Sequence, residues 1–135
     1  MKHIHVIQHG TVIDHIPQGI GMKISNLLTP SNSLVMIGLN LDSKRLGKKD
    51  LLKYADKKLN IDEIKIAATL APNCTLSEIS FGNVKDKGTP LKPAIIENIF
   101  TCQNPKCITN NEVMTTKFHT SPVLRCFYCE RSVSL

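Results

Sequence analysis

Tryptophan is absent from the 135 residues, and aromatic residues of every kind make up only 4%. A protein that binds single-stranded nucleic acid by stacking needs a platform of aromatic rings, and so thin a supply argues against that mode. Long apolar runs are lacking too. The longest, such as 34–39, fall far short of the roughly 20 residues that cross a bilayer. The opening MKHIHVIQHG has no continuous apolar core of the kind a secretory signal carries. No Walker loop, serine elbow or pair of catalytic carboxylates is visible. These absences predict a cytoplasmic chain with no membrane partner and little to support an enzyme, in a compartment where thiols stay reduced.

What the chain does have is a cysteine pattern. Cys102 and Cys107 are spaced C-x4-C, eighteen residues follow, and Cys126 and Cys129 are spaced C-x2-C. Two close pairs on separate loops can supply the four soft ligands of a tetrahedral zinc ion, and Asn104 and Pro105 suit a turn in the longer loop. Four sulfurs leave no open coordination position, so the expected metal is one structural zinc per chain. It replaces the core that a piece of about 40 residues cannot build alone. His119, between the pairs, and Cys74, far upstream, read as ordinary residues.

The stretch KGTPLKPA, residues 87–94, has two prolines and a glycine and reads as a linker. It suggests domains of 1–92 and 93–135. Before it, residues 3–14 alternate as a strand, with Ile4 and Val6 on one face and His3, His5 and His9 on the other. Pro17 suits the first turn of a helix, Ile20, Ile24, Leu27 and Leu28 follow at helical spacing, and Pro30 ends it. Residues 34–41 read as a strand with Val35, Ile37, Leu39 and Leu41 on one face, and 49–55 as another. Asn60 and Glu63 form a capping box for a helix buried along Ile64, Ala67, Ala68 and Ala71 and stopped by Pro72; residues 75–81 close the block as a strand. The order strand, helix, strand, strand, helix, strand predicts an α+β fold, a ferredoxin-like antiparallel sheet with two helices on one face. The second block, with short β-like pieces between its cysteines, predicts a small β-rich zinc domain.

Charge is less decisive. The formal net charge is +6, reduced to about +4 by four thiolates and one divalent ion. Seven basic and three acidic residues lie between Asp42 and Lys58, and Lys85 and Lys87 add to them if the strands pair as expected. Such a region suits an anion or an acidic partner, although a solvated face is the commoner fate of lysines. The N-terminal histidines pose the same choice. The GIG of residues 19–21 is not a dinucleotide loop, because the third glycine position is Ile24.

GTVIDHIP (residues 10–17), GLNL (38–41), GKKDLLK (47–53) and the cysteine pattern, in order over essentially the whole chain, resemble the regulatory chain of aspartate carbamoyltransferase. The resemblance implies a non-catalytic subunit with an N-terminal allosteric domain of ferredoxin-like fold and a C-terminal zinc domain. It implies pairing as a regulatory dimer and assembly with catalytic chains through the zinc domain. CTP, ATP and UTP are the implied effectors, in control of pyrimidine biosynthesis. Matched residue by residue, Asp14 falls on the acidic residue that contacts ribose, with His15 near the phosphates. Lys53 falls on the lysine that reaches ribose and base, and Lys87 on the one that binds phosphates. Ile4, His5, Val6 and Ile7 match the segment lining the base pocket, and Val84 lies nearby. Ser77 stands where well-known members have asparagine, and Gly82 where some have tyrosine. The alternative from a different class is a zinc-ribbon nucleic-acid-binding protein, supported by the basic charge and the four-cysteine site; nucleic acid is not the expected partner.

Overall fold

Residues 7–134 are described by the computed structural model, and the chain divides into two compact units, 1–91 and 92–135. In the first unit, strands β1 (Gly10–Pro17), β2 (Val35–Ser43), β3 (Gly47–Ala55), β4 (Thr75–Ser80) and β5 (Asn83–Gly88) are joined by helices α1 (Gly21–Leu27) and α2 (Ile61–Leu70). They form one antiparallel sheet in the order β2-β3-β1-β4-β5. The first four strands have the split βαβ arrangement of a ferredoxin-like fold, and β5 extends its edge.

Alternation assigns the faces. Thr11, Ile13, Leu52 and Tyr54 point to the buried side, where the Tyr54 hydroxyl lies 3.3 Å from Ser25 of α1. Ile24 of α1 and Ala67 and Ala68 of α2 are fully buried against this core; small side chains let α2 approach closely. The capping box forms as its sequence predicts. The Asn60 side chain accepts from the Glu63 N–H at 2.8 Å, and Glu63 accepts from the Asn60 N–H at 3.1 Å. The buried Glu63 carboxylate also accepts the Thr29 N–H at 3.0 Å and pairs with Lys57 at 3.1 Å, so one residue caps a helix and anchors the loop after α1.

The GIG motif has a structural role. Asp50 is fully buried on the helix side, and its Oδ2 accepts the N–H groups of Gly19 and Gly21 at 3.0 and 2.9 Å. A Cβ at Gly21 would sit 2.7 Å from that of Asp50, so the backbone approaches the carboxylate this closely only because Gly21 has no side chain.

Three expectations from sequence are corrected. Pro17 ends β1, paired with Lys49, rather than opening a helix that starts at Gly21; a proline lacking its N–H is tolerated at a strand end. Lys87 and Gly88 belong to β5, not to a linker. All six β5 residues are exposed, so no apolar alternation marks them; the strand forms by pairing with β4 across a two-residue turn in which Phe81 and Gly82 both have positive φ. In β2 the single apolar face is broken by a bulge between Gly38 and Leu41, leaving Ile37 and Leu39 exposed. Of the first expected strand, residues 3–6 lie outside the described residues, and 7–9 precede β1.

The second unit has a three-stranded antiparallel sheet of β6 (Ile95–Glu97), β7 (Lys117–His119) and β8 (Arg125–Cys126). Its apolar core is little more than Ile96, Phe100 and Phe118, whose two rings meet edge to face at 6.0 Å. Among the described residues no helix is long and apolar enough to cross a membrane.

Two outcomes follow from the buried carboxylates. Gly→Ala in a helix ordinarily stabilises by about 1 kcal/mol, but Gly21→Ala is expected to destabilise by about 1–3 kcal/mol, read as a lower urea midpoint. For Glu63, burial alone would raise the pKa, but the Asn60 N–H, the Lys57 ammonium and the Thr29 N–H outweigh it and hold the carboxyl below its ordinary value. Its stabilisation is therefore complete above the ordinary glutamate pKa of about 4.3 and is lost as pH falls through the lower folded value. Glu63→Gln is expected to lose about 2 kcal/mol at neutral pH and to show a shallower fall in urea midpoint between about pH 5 and about pH 3; an unchanged acid limb would contradict this.

Candidate functional site

Register, not a loop, assembles the candidate site of the first unit. Lys53 on β3 pairs with Val12 on β1, Val12 pairs with Ser77 on β4, and Ser77 pairs with Lys87 on β5. One row across four strands thus aligns two lysines and a serine on the face that bears neither helix. Asp14, two residues along β1, shares this face opposite Thr75. Val84 joins it opposite Ile79 and is largely exposed.

Asp14 is answered from β3. Its Oδ1 lies 2.8 Å from the Lys49 ammonium and accepts the His15 N–H at 2.6 Å. Burial alone would raise its pKa; the hydrogen bond from Lys49 and that from His15 outweigh it, and the carboxyl sits below its usual value. Burial lowers the Lys53 pKa, opposed by the charge of Asp14. His15 takes left-handed backbone at φ 57°, with Nδ1 3.1 Å from the Thr75 hydroxyl. The face therefore carries Lys49, Lys53 and Lys87 against one carboxylate, beside the hydroxyls of Ser77 and Thr75 and the apolar surfaces of Val12, Ile79 and Val84. That mixture suits a ligand with an anionic end and a partly apolar, hydrogen-bonding end.

Of the residues singled out from sequence, Asp14, His15, Lys53, Ser77, Val84 and Lys87 come together in this way. Ile7 is buried at the start of the described chain, and the Gly82 N–H donates to the adjoining Gln8 carbonyl at 2.9 Å, tying this segment to the β4–β5 turn. Ile4, His5 and Val6 lie outside the described residues. Lys49 and Thr75 were missed; Lys49 stands four residues before Lys53 on one strand, a spacing that puts both on one face. His9 belongs elsewhere, edge to face with Phe81 at 4.9 Å. A cavity of about 400 Å³ opens between α2 and the β4–β5 hairpin, with Leu59, Ile64, Leu76 and Asp86 in its wall; Ser77 and Lys87 of the row line it too, whereas Asp14 and Lys53 do not.

In the second unit the sulfurs of Cys102, Cys107, Cys126 and Cys129 all lie within 4.8 Å of one another. The Cys102–Cys129 and Cys107–Cys126 separations are 3.5 and 3.7 Å, close to the edge of about 3.8 Å that a tetrahedron of 2.3 Å metal–sulfur bonds requires. Local backbone bonds set these positions. The Cys107 N–H donates to the Asn104 carbonyl and the Glu130 N–H to the Cys126 carbonyl. Asn110 donates to the carbonyls of Cys102 and Asn104, and Asn111 to those of Pro105 and Cys107. Burial pushes the Cys102 and Cys126 thiols up, whereas the Thr109 hydroxyl draws Cys107 down and the Arg131 N–H draws Cys129 down. His119 stacks on Phe127 at 5.2 Å and takes no part in the cluster. Cys74 is buried alone in the first unit, its pKa raised to about 11 by burial.

Comparison with known proteins agrees with both units. The family model for the aspartate carbamoyltransferase regulatory chain, allosteric domain, matches residues 2–90, and that for its metal binding domain matches 94–135. The aspartate carbamoyltransferase regulatory chain of Pyrococcus abyssi is 40% identical over 96% of this chain and 91% of its own length. That of Phocaeicola vulgatus is 42% identical over 97% and 88%, and that of Thermococcus sibiricus 40% over 98% and 93%. With both of its units matched in order and its relatives covered nearly end to end, this chain belongs to the family of aspartate carbamoyltransferase regulatory chains, which are regulatory and not catalytic.

Proposed function

We propose that this chain senses nucleotides for an aspartate carbamoyltransferase and controls its catalytic chains in pyrimidine biosynthesis. Residues 1–92 are the nucleotide-binding allosteric domain and 93–135 the zinc domain that contacts the catalytic chain. The observation that carries the reading is the row Lys53–Val12–Ser77–Lys87. Its end lysines stand three inter-strand spacings apart, roughly 14 Å at the backbone, a span that suits a nucleotide better than a lone phosphate.

In this reading CTP, ATP and UTP place their phosphates at Lys87 with His15 nearby, ammonium groups acting as point charges on the anion. Asp14 and Lys53 take the ribose, and Lys53 reaches the base. Ile4, His5, Val6 and Ile7 supply main-chain groups to the base edge, with Ser77 and Val84 alongside. Three lysines against one carboxylate favour several negative charges. Occupancy controls the catalytic chains to the extent that the nucleotide binds two quaternary states with different affinity. The exposed β2 edge, with Leu34, Ile37 and Leu39 uncovered, supports pairing as a regulatory dimer.

The four cysteines hold one structural zinc ion. Zinc supplies a tetrahedral cross-link between two loops whose own apolar core is small. Such a thiolate site belongs to a reducing compartment, which fits the cytoplasm. The distribution of charge speaks against a zinc-ribbon nucleic-acid binder: residues 92–135 hold five basic and three acidic residues, and four thiolates with one dication cancel that difference, so the basic excess lies outside the zinc unit.

Lys87→Ala is expected to weaken CTP binding about 10- to 100-fold by calorimetry while assembly with the catalytic chain is retained; unchanged affinity would reject the phosphate role. Light scattering after size exclusion, on the chain mixed with its catalytic partner, is expected to show a large assembly that disappears when the metal is stripped. No assembly in metallated protein, together with salt-steep binding to nucleic acid, would overturn the regulatory reading in favour of the nucleic-acid one.

A further inference from the structure

Both neighbours of β3 carry an extra residue at the same level of the sheet. On one side Ile13 pairs with Leu52 and Ile16 with Asp50; on the other Gly38 pairs with Leu51 and Leu41 with Lys49. Each step spans three residues against two, which defines a bulge. In each bulge one non-glycine residue takes left-handed backbone, His15 at φ 57° and Asn40 at φ 60°. Histidine and asparagine tolerate this region better than most residues, but holding it still requires support from the surroundings.

That support has the same form on both sides. The His15 N–H is held by the Asp14 carboxylate at 2.6 Å, and the Asn40 N–H by the Asp50 carboxylate at 3.1 Å. The two clamps meet on β3, because Lys49, paired with Asp14 at 2.8 Å, is the chain neighbour of Asp50. One clamp faces the bare side of the sheet and the other its helix side. Bulges re-aim side chains and end regular pairing; here two stand at one level, on either side of a single strand.

We infer that this double bulge links the anion-binding face to the β2 edge. The inference rests on the nucleotide reading above. An anionic ligand on the bare face competes with Asp14 for the Lys49 ammonium. Movement of Lys49 displaces Asp50 beside it, and with Asp50 its hold on the Asn40 N–H. The exposed Ile37 and Leu39 flank that bulge, so occupancy on one side of β3 is expressed as a change in an apolar strand edge on the other.

Amide hydrogen exchange on the full-length, zinc-loaded chain, with and without saturating CTP, tests this beside a calorimetric titration of the same sample. Exchange at Leu39, Asn40 and Leu41 is expected to change by about fivefold or more, while amides in the middle of α2 stay constant. Asp50→Asn keeps the side-chain shape but leaves three N–H groups with one acceptor oxygen. It is expected to bind CTP within about fivefold of the wild-type affinity, keep the response at His15 and lose it at residues 39–41. Binding heat with no change at residues 39–41 in the wild-type chain overturns the inference and leaves the nucleotide reading standing, and this comparison decides the matter even if Asp50→Asn fails to fold. Absence of binding heat overturns the nucleotide reading and the inference with it.

Discussion

A carboxylate with no solvent exposure must be answered by donors, and Asp50 is answered by three backbone N–H groups, those of Gly19, Gly21 and Asn40. Burying it without them would cost several kcal/mol; with them it becomes the point where the β1–α1 connection, the start of α1 and the irregular part of β2 are fixed relative to β3. The helix register follows from Gly21 lying against Asp50. The faces of β3 follow as well, since Asp50 on the helix side requires Lys49, Leu51 and Lys53 on the other. The lysine-bearing face is thus a consequence of where one acid is buried.

The second unit rests on a different constraint. Ile96, Phe100 and Phe118 supply too little apolar burial to order some forty residues, and four sulfurs brought within 4.8 Å have two thiols that burial resists ionising. A bound dication removes that conflict, because it favours all four thiolates at once. The side chains of Asn110 and Asn111 tie down the carbonyls of the first knuckle, so they serve the fold from within.

The parts legible in the sequence were those whose signal is local. The Asn60–Glu63 box, the cysteine spacing and the helical stripe around Ala67 and Ala68 are each defined by residues a few positions apart, and the structure reproduces them. What was hidden depends on distant partners. Strand β5 has no apolar alternation and exists only because β4 offers it an edge. The GIG motif acquires its meaning from Asp50, about thirty residues on. The bulges at His15 and Asn40 shift the alternation on which strand reading depends, which is why β2 was expected to present one apolar face and does not. On the bare face, the family resemblance supplied Lys53, Ser77 and Lys87, whereas only the register shows that these three stand in one row and that Lys49 stands beside them.

Because that row is made by strand pairing, its backbone geometry does not depend on which side chains occupy it. Ser77 and Lys87 sit on strands held by ladder hydrogen bonds, and every residue of β5 is exposed. Substitutions at the row's exposed end, Lys87, can therefore exchange one contact for another without refolding the surface beneath, whereas Ser77 is buried. A surface built this way is free to drift one position at a time, with the scaffold left intact.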